Sequence, residues 1–200
     1  MKKLLVVLFF SALFIGGCAT PVRENQSVDS KLHQQRLSAI SQWQVKGRLA
    51  FKSTEEKVSA YMRWRQKNKE FDLTLTTFIG TTIMTMQNQP GFAQLEADEQ
   101  IYTDIDASSL ILQVTGWNIP VDKLALWIKG QYTRSDNVVF DDNGLLSSLT
   151  AKCRACAPWT LQYSRYKQVG DVWLPHDIVL TNSGDPNNQI KIKISAWQLT

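Results

Sequence analysis

The sequence predicts a mainly β, single-domain protein, built as a curved antiparallel sheet or incomplete barrel with helices filling its mouth. Two observations carry this. Apolar and polar residues alternate with a period of two in one stretch after another, as in strands with one face buried and the other in water, giving about ten or eleven strands. The alternation breaks in the middle of the chain, where two short segments carry helix start and stop signals instead.

Met1-Lys2-Lys3 precedes an apolar run from Leu4 to Ile15, which closes on Gly16-Gly17 directly before Cys18. A charged start, an apolar centre and a small-residue cleavage site are the parts of a secretory signal. The run of about 12 residues falls short of the roughly 20 that a helix needs to cross a bilayer. Residues 1–17 are therefore expected to be removed. Ile15-Gly16-Gly17-Cys18 resembles the lipobox of bacterial lipoproteins, whose cysteine receives a diacylglycerol, although Ile15 and Gly16 stand where leucine and alanine or serine are commonest. The alternative is an ordinary signal followed by a free cysteine. From Ala19 to Ser30 the chain is polar, carries Pro21 and has no apolar period, which fits a lipidated flexible tether over 18–30. The remaining 31–200 suits one domain with a real core.

Asp29 or Ser30 can cap a helix running to about Trp43, because Leu32, Leu37 and Ile40 recur at roughly helical spacing. Beyond it Trp43, Val45, Leu49 and Phe51 share one face, against Gln44, Lys46 and Arg48 on the other. Val58, Ala60, Met62 and Trp64 then alternate with polar neighbours, as do Phe71, Leu73 and Leu75. Glu55-Glu56 and Lys67-Asn68-Lys69 make the intervening turns. A strand over Thr82 to Gln87 is followed by a turn at Asn88-Gln-Pro-Gly91 and a strand from Phe92 to Glu96. Asp106 caps a helix that stops at Gly116, and a second helix, from Val121 to Ile128, follows Pro120 and stops at Gly130. Strands resume near Val138 and continue through Leu145 to Thr150, Trp159 to Tyr166 and Val172 to Leu180. The last has the clearest alternation, Ile190, Ile192, Ile194 and Ala196 against Lys191, Lys193 and Ser195.

Several chemistries find no residues to perform them. There is no P-loop or dinucleotide fingerprint, no Gly-x-Ser-x-Gly elbow and no HExxH, and the two histidines, His33 and His176, have no metal-site spacing. No cofactor or metal is expected. Once Lys2 and Lys3 leave with the signal, 20 basic side chains face 18 acidic ones, with no basic tail or dense cationic cluster to argue for nucleic acid. His176 beside Asp177 could orient a general base, yet neighbours in a strand point to opposite faces. Cys153-Arg-Ala-Cys156 has redox spacing but falls between strand patterns. A structural disulfide closing a hairpin is favoured over a reactive pair.

Seven tryptophans, eight phenylalanines and five tyrosines must line a core, a cavity or an interface. Thr77-Phe78-Ile79-Gly80-Thr81 stands out, because a hairpin turn normally collects polar residues. Phe78 and Ile79 either fold back onto the core or form an exposed apolar tip that dips into a membrane.

Taken in order, several segments resemble the LolB family over nearly the whole mature domain. They are Trp43-Gln-Val-Lys-Gly-Arg-Leu-Ala-Phe51, Trp64, Phe78-Ile79-Gly80-Thr81, Thr115-Gly-Trp-Asn-Ile-Pro-Val121, Leu124, Trp127-Ile-Lys-Gly130, Trp159, Leu174-Pro175 and the final Ile-Lys-Ile-Lys-Ile. The resemblance implies an open β-barrel capped by helices, with an internal hydrophobic cavity and a protruding loop that delivers cargo. Ile79 takes the place of that loop's leucine, and Phe78 the place of its proline. Candidate cavity-lining residues are Trp43, Val45, Leu49, Phe51, Met62, Trp64, Phe71, Leu73, Leu75, Trp117 and Trp127. The family has no counterpart to the Cys153 and Cys156 pair. The implied function is a monomeric outer-membrane receptor that accepts lipoproteins, with their acyl chains, from a LolA-like periplasmic carrier and inserts them into outer-membrane lipid without nucleotide hydrolysis. Ala19, in place of aspartate, fits the enterobacterial sorting pattern for the outer membrane. A periplasmic lipid-binding lipoprotein and a lipid-active hydrolase are the alternatives.

If Cys18 carries the anchor, Cys18→Ala yields a soluble periplasmic or an uncleaved product. Cell fractionation checks this, and tight membrane association of a cleaved, unacylated form would contradict it.

Overall fold

The structure, a computed structural model, describes residues 27–152 and 159–200. The expected signal, Cys18, most of the tether and the Cys153 and Cys156 pair lie outside the described residues. The last residues of the expected tether are held against the domain. Val28 N donates to Asn143 O at 2.7 Å, and Ser30 Oγ to Gly144 O at 2.6 Å. Gly144, at φ +78°, permits this approach, since a Cβ there would collide with the Val28 carbonyl.

Asp29 caps helix α1 (Ser30–Ala39) by accepting from Leu32 N at 2.9 Å. The helix ends four residues before the expected Trp43: Ile40 N returns to Leu37 O and Ser41 O accepts from Asn68 N, which turns the chain into the first strand. The strands that follow are β1 (Gln42–Lys52), β2 (Lys57–Lys67), β3 (Glu70–Thr76), β4 (Thr82–Gln89), β5 (Phe92–Ala97) and β6 (Gln100–Asp104). Helices α2 (Ala107–Thr115) and α3 (Val121–Trp127) come next, then β7 (Asn137–Phe140), β8 (Leu146–Thr150), β9 (Trp159–Ser164), β10 (Lys167–Val169), β11 (Val172–Leu174), β12 (Asp177–Asn182) and β13 (Gln189–Leu199).

Eleven of these strands form one antiparallel sheet in the order β6-β5-β4-β3-β2-β1-β13-β12-β9-β8-β7, and β10 with β11 form a separate hairpin. The sheet does not close, because β6 and β7 are its two edges. Further elements differ from expectation, among them β10 (Lys167–Val169), a short strand that the sequence pattern does not mark. Strand β6 was not foreseen: its turn is Asp98-Glu99, and both take positive φ (52° and 63°) where glycine or asparagine is the usual signal. The single strand expected from Val172 to Leu180 is two, broken at Pro175-His176, and the strand expected to reach Tyr166 stops at Ser164, before Arg165 at φ 53°. A bulge between Lys46 and Gly47 shifts the register with β13, so that Ala196 lies opposite outward Lys46 and Trp197 opposite inward Val45. Gly47 permits the shift, since a Cβ would strike the Lys193 carbonyl.

Three buried basic side chains tie α1, the chain after α3 and the β11–β12 turn to their neighbours. His33 of α1 sets Nε2 3.1 Å from Trp173 N and 3.0 Å from Trp173 O on β11. Lys129, just past α3, donates to Leu37 O at 3.2 Å, which also accepts from Ile40 N, and to Ile40 O at 2.8 Å, at the end of α1. Burial lowers its pKa to about 8. His176 Nδ1 is 2.8 Å from Ile194 O, while the Asp177 carboxylate turns to Arg165. The two neighbours therefore form no catalytic pair.

Burial lowers the pKa of both His33 and His176 below the usual 6.5. Each ring binds a proton more weakly folded than unfolded, so its contribution is complete above the unfolded pKa and is lost as pH falls through the depressed folded values. Tm is expected to fall between pH 7 and pH 5.5, and to fall less in His33→Gln/His176→Gln; calorimetry across that range checks both. A flat wild-type profile would contradict neutral buried rings.

Candidate functional site

Strand alternation and register assemble two apolar rows on the inward side of the sheet. Val45 lies opposite Trp64, Trp64 opposite Leu73, Leu73 opposite Met86 and Met86 opposite Leu95. Beside it run Met62, Leu75, Met84 and Ala97. Trp64 is the hub: its ring centroid is 5.3 Å from that of Trp43 and 5.7 Å from that of Phe71, and Trp43 is 5.6 Å from Trp197. Its indole N–H is satisfied by Gln66 Oε1 at 3.0 Å, as a buried donor requires.

The helical pair covers this side. Helix α2 packs on β5 and β6 and ends at Gly116, φ 74°, after which Trp117 meets Phe51. The chain then returns. Trp159 Nε1 donates to Asn118 O at 3.1 Å, and Val121 N at the start of α3 donates to Ser108 Oγ at 3.0 Å.

Of the candidate lining residues, Trp43, Val45, Phe51, Met62, Trp64, Phe71 and Trp127 are buried in one cluster, and Leu49, Leu73, Leu75 and Trp117 are half-buried against it. They are brought together, and they fill the inward side by touching one another. Val58, which shares their alternation in sequence, is instead exposed at the end of the sheet. Leu49, Leu75 and Met84, incompletely covered, belong to the end that carries the 77–81 loop. Sequence reasoning missed Lys129 and Trp197. The lysine sits inside Trp127-Ile-Lys-Gly130 with nothing local to mark it as buried, and Trp197 turns inward through the bulge.

The loop itself is a compact projection. Thr77 N donates to Thr81 O at 2.8 Å, Gly80 N to Thr77 O at 3.1 Å and Thr81 N to Thr77 Oγ1 at 3.1 Å. Gly80 takes φ +91° with open space around it. Phe78 is 85% exposed and Ile79 73%. Neither side chain folds back onto the core.

Over residues 41–197 the chain matches the family described as Outer membrane lipoprotein LolB. The chain belongs to the LolB family. A LolB from Shewanella denitrificans is 32% identical over 199 residues, covering 98% of this chain and 93% of its own; one from Shewanella loihica is 34% identical over 185, covering 92% and 82%. The fold is that of a LolA superfamily protein from Nitrosomonas europaea, at a TM-score of 0.58 and 9% identity, over 86% of this chain and 94% of that one. As a LolB family member the protein is an outer-membrane lipoprotein. Among the described residues no helix is long and apolar enough to cross a membrane, and no three His, Cys, Asp or Glu side chains are placed to hold a metal.

Trp117 covers Phe51 at the loop-bearing end. Trp117→Ala is expected to cost about 1–3 kcal/mol, less than a fully buried tryptophan would, and to increase uptake of an apolar fluorescent dye. Denaturant melts and dye titration check the two separately; lost stability with unchanged dye uptake would make Trp117 an ordinary core residue.

Proposed function

We propose that this protein accepts lipoproteins from a periplasmic carrier, shelters their acyl chains on the inward side of its sheet, and inserts them into the outer membrane through contact of Phe78-Ile79-Gly80 with the bilayer. Membership of the LolB family and the LolA-like fold support the receptor role. The observation that carries the finer reading is the projecting tip with two bulky side chains in water. Leaving such groups unburied forgoes about 1.5–3 kcal/mol for each, which is regained when the tip meets lipid.

The cargo has three acyl chains with roughly 45 methylenes, each worth about 0.8 kcal/mol when buried, so release into water is prohibitive. The chains must pass from one apolar environment to the next. Room for them arises when α2 and α3 swing away from the aromatic rows. The polar ties that resist this include Val121 N to Ser108 Oγ and Trp159 Nε1 to Asn118 O, each worth about 1 kcal/mol. Transfer then runs downhill in affinity from carrier to receptor to bilayer.

Ile79→Glu separates acceptance from delivery. A charge carried toward the bilayer interior costs on the order of 2–3 kcal/mol, enough to reduce the inserted population roughly a hundredfold. Retention of a labelled lipoprotein and thermal stability should hardly change, since the side chain is 73% exposed, while transfer to liposomes should fail. Joint loss of retention and transfer with a lowered Tm would overturn the membrane-tip assignment.

A further inference from the structure

The three adjacent strands β13, β1 and β2 contain several lysines and arginines and not one aspartate or glutamate. Alternation with the buried residues turns Lys46, Arg48, Arg63, Arg65, Lys191 and Lys193 outward, where all are exposed. Register then sets like charges side by side, Lys46 opposite Arg63 and Arg48 opposite Lys193. Directly opposed like charges weaken a sheet, so this face does not serve folding. Arg65 is paired with Asp72 at 3.1 Å. Arg48 is steered by Tyr61, donating to its hydroxyl at 3.0 Å with the guanidinium 5.0 Å from the ring centroid. Among the described residues, Lys46, Arg63, Lys191 and Lys193 have no carboxylate within ion-pair distance, and Asp177, across from Lys193, is held by Arg165.

The face leads to the apolar loop. A depression of about 310 Å³ is lined by Gln44, Lys46, Arg63, Arg65, Asp72 and Thr74. A second, of about 400 Å³, shares Lys46, Arg63 and Thr74 with it and continues past Tyr61 to Thr76 and Thr82, which flank the loop. Arg48 and Tyr61 stand level with Thr76, the last residue of β3, and Lys191 lies two positions further toward the loop end, opposite Ala50. Lys46 and Arg63 lie two positions, or about 7 Å, behind Arg48. The headgroup region of a leaflet is about 5–8 Å thick. In strand positions these cations flank the loop: Arg48 and Lys193 are level with its base, Lys191 is about 7 Å further toward its tip, and Lys46 and Arg63 are about 7 Å behind.

We propose that the outward face of β13, β1 and β2 is a binding surface for the phosphate headgroups of anionic phospholipids, aligning the protein on the membrane beside its apolar tip. This rests on the reading of Phe78-Ile79 as a membrane contact. A protein partner would need an apolar centre to bury, and this face offers hydroxyls, amides and cations instead. Glu55 and Glu56, in the turn at the same end, are matched in number by Lys52 and Lys57, so the turn adds no net charge to the cationic face.

The test is lysine footprinting of the full lipidated protein, reconstituted in vesicles of phosphatidylcholine alone or with phosphatidylglycerol. With phosphatidylglycerol, Lys46, Lys191 and Lys193 should react with an acetylating reagent about fivefold more slowly, recovering in 1 M salt, while Lys31 and Lys167 react equally in both. Arg48→Gln/Arg63→Gln should reduce the protection, and inorganic phosphate added to phosphatidylcholine vesicles should give none. Equal labelling in the two vesicles, protection reproduced by inorganic phosphate alone, or protection that needs an added acidic carrier protein would overturn the proposal. Ile79→Glu distinguishes the two readings. Normal delivery by that variant with lipid-dependent protection intact removes the tip and leaves the face; failed delivery by that variant, with the unsubstituted protein labelled equally in the two vesicles, removes the face and leaves the tip.

Discussion

Backbone pairing between the first strand and the last governs the whole sheet. β1 runs against β13 from Trp43 opposite Leu199 to Lys52 opposite Gln189, and this ladder joins the N-terminal meander, β2 to β6, to the C-terminal strands β12, β9, β8 and β7. Without it there would be two separate ribbons, each with an apolar face in water. The bulge at Lys46/Gly47 is part of the same joint. It rotates Trp197 toward Trp43, so the aromatic hub draws residues from both ends of the chain. Loop closure over so long a separation is entropically costly and slow, and the apolar rows on the inward side are what offset it.

The inward side and the helices over it are held by different means. Sheet register fixes the rings of Trp43, Trp64 and Phe71 firmly, whereas α2 and α3 rest on them largely through side-chain contact. At the far end Lys129 fastens the chain after α3 to the end of α1 with two charge-assisted hydrogen bonds. One end of the helical cover is thus pinned in a buried polar joint, and the other, near Trp117, is held by the contact of Trp117 with Phe51 and by the hydrogen bonds of Asn118 O and Val121 N.

The fold class was legible because strand alternation is a local property, and the sheet follows it nearly everywhere. It failed where the local signal was missing or misleading: at β6, whose turn has no glycine or asparagine; at Pro175-His176, where a continuous apolar pattern conceals a break; and at Ala196, where the bulge inverts the alternation. The projecting loop was visible as a composition anomaly, but whether Phe78 and Ile79 face water is a tertiary fact. The cationic face was invisible for a different reason. Its lysines and arginines are spread over positions 46 to 193 and become one surface only when the first strand lies between the second and the last. Lys129 is similar: nothing in Trp127-Ile-Lys-Gly130 states that its ammonium will meet the carbonyls of a helix some ninety residues earlier.

An open sheet has two edges, and here both are short. β6 has five residues and β7 four, and the register of β7 with β8 shifts between Val139 and Phe140. A lipid anchor confines its protein to a plane, where neighbours meet far more often than in free solution. Long, flat edges carrying Ile101 and Val139 would then act as templates for strand addition between copies, and polymer would grow along the membrane. Brevity and an irregular ladder deny such growth a straight row of donors and acceptors. The feature that leaves the barrel open is thereby kept compatible with crowding in two dimensions.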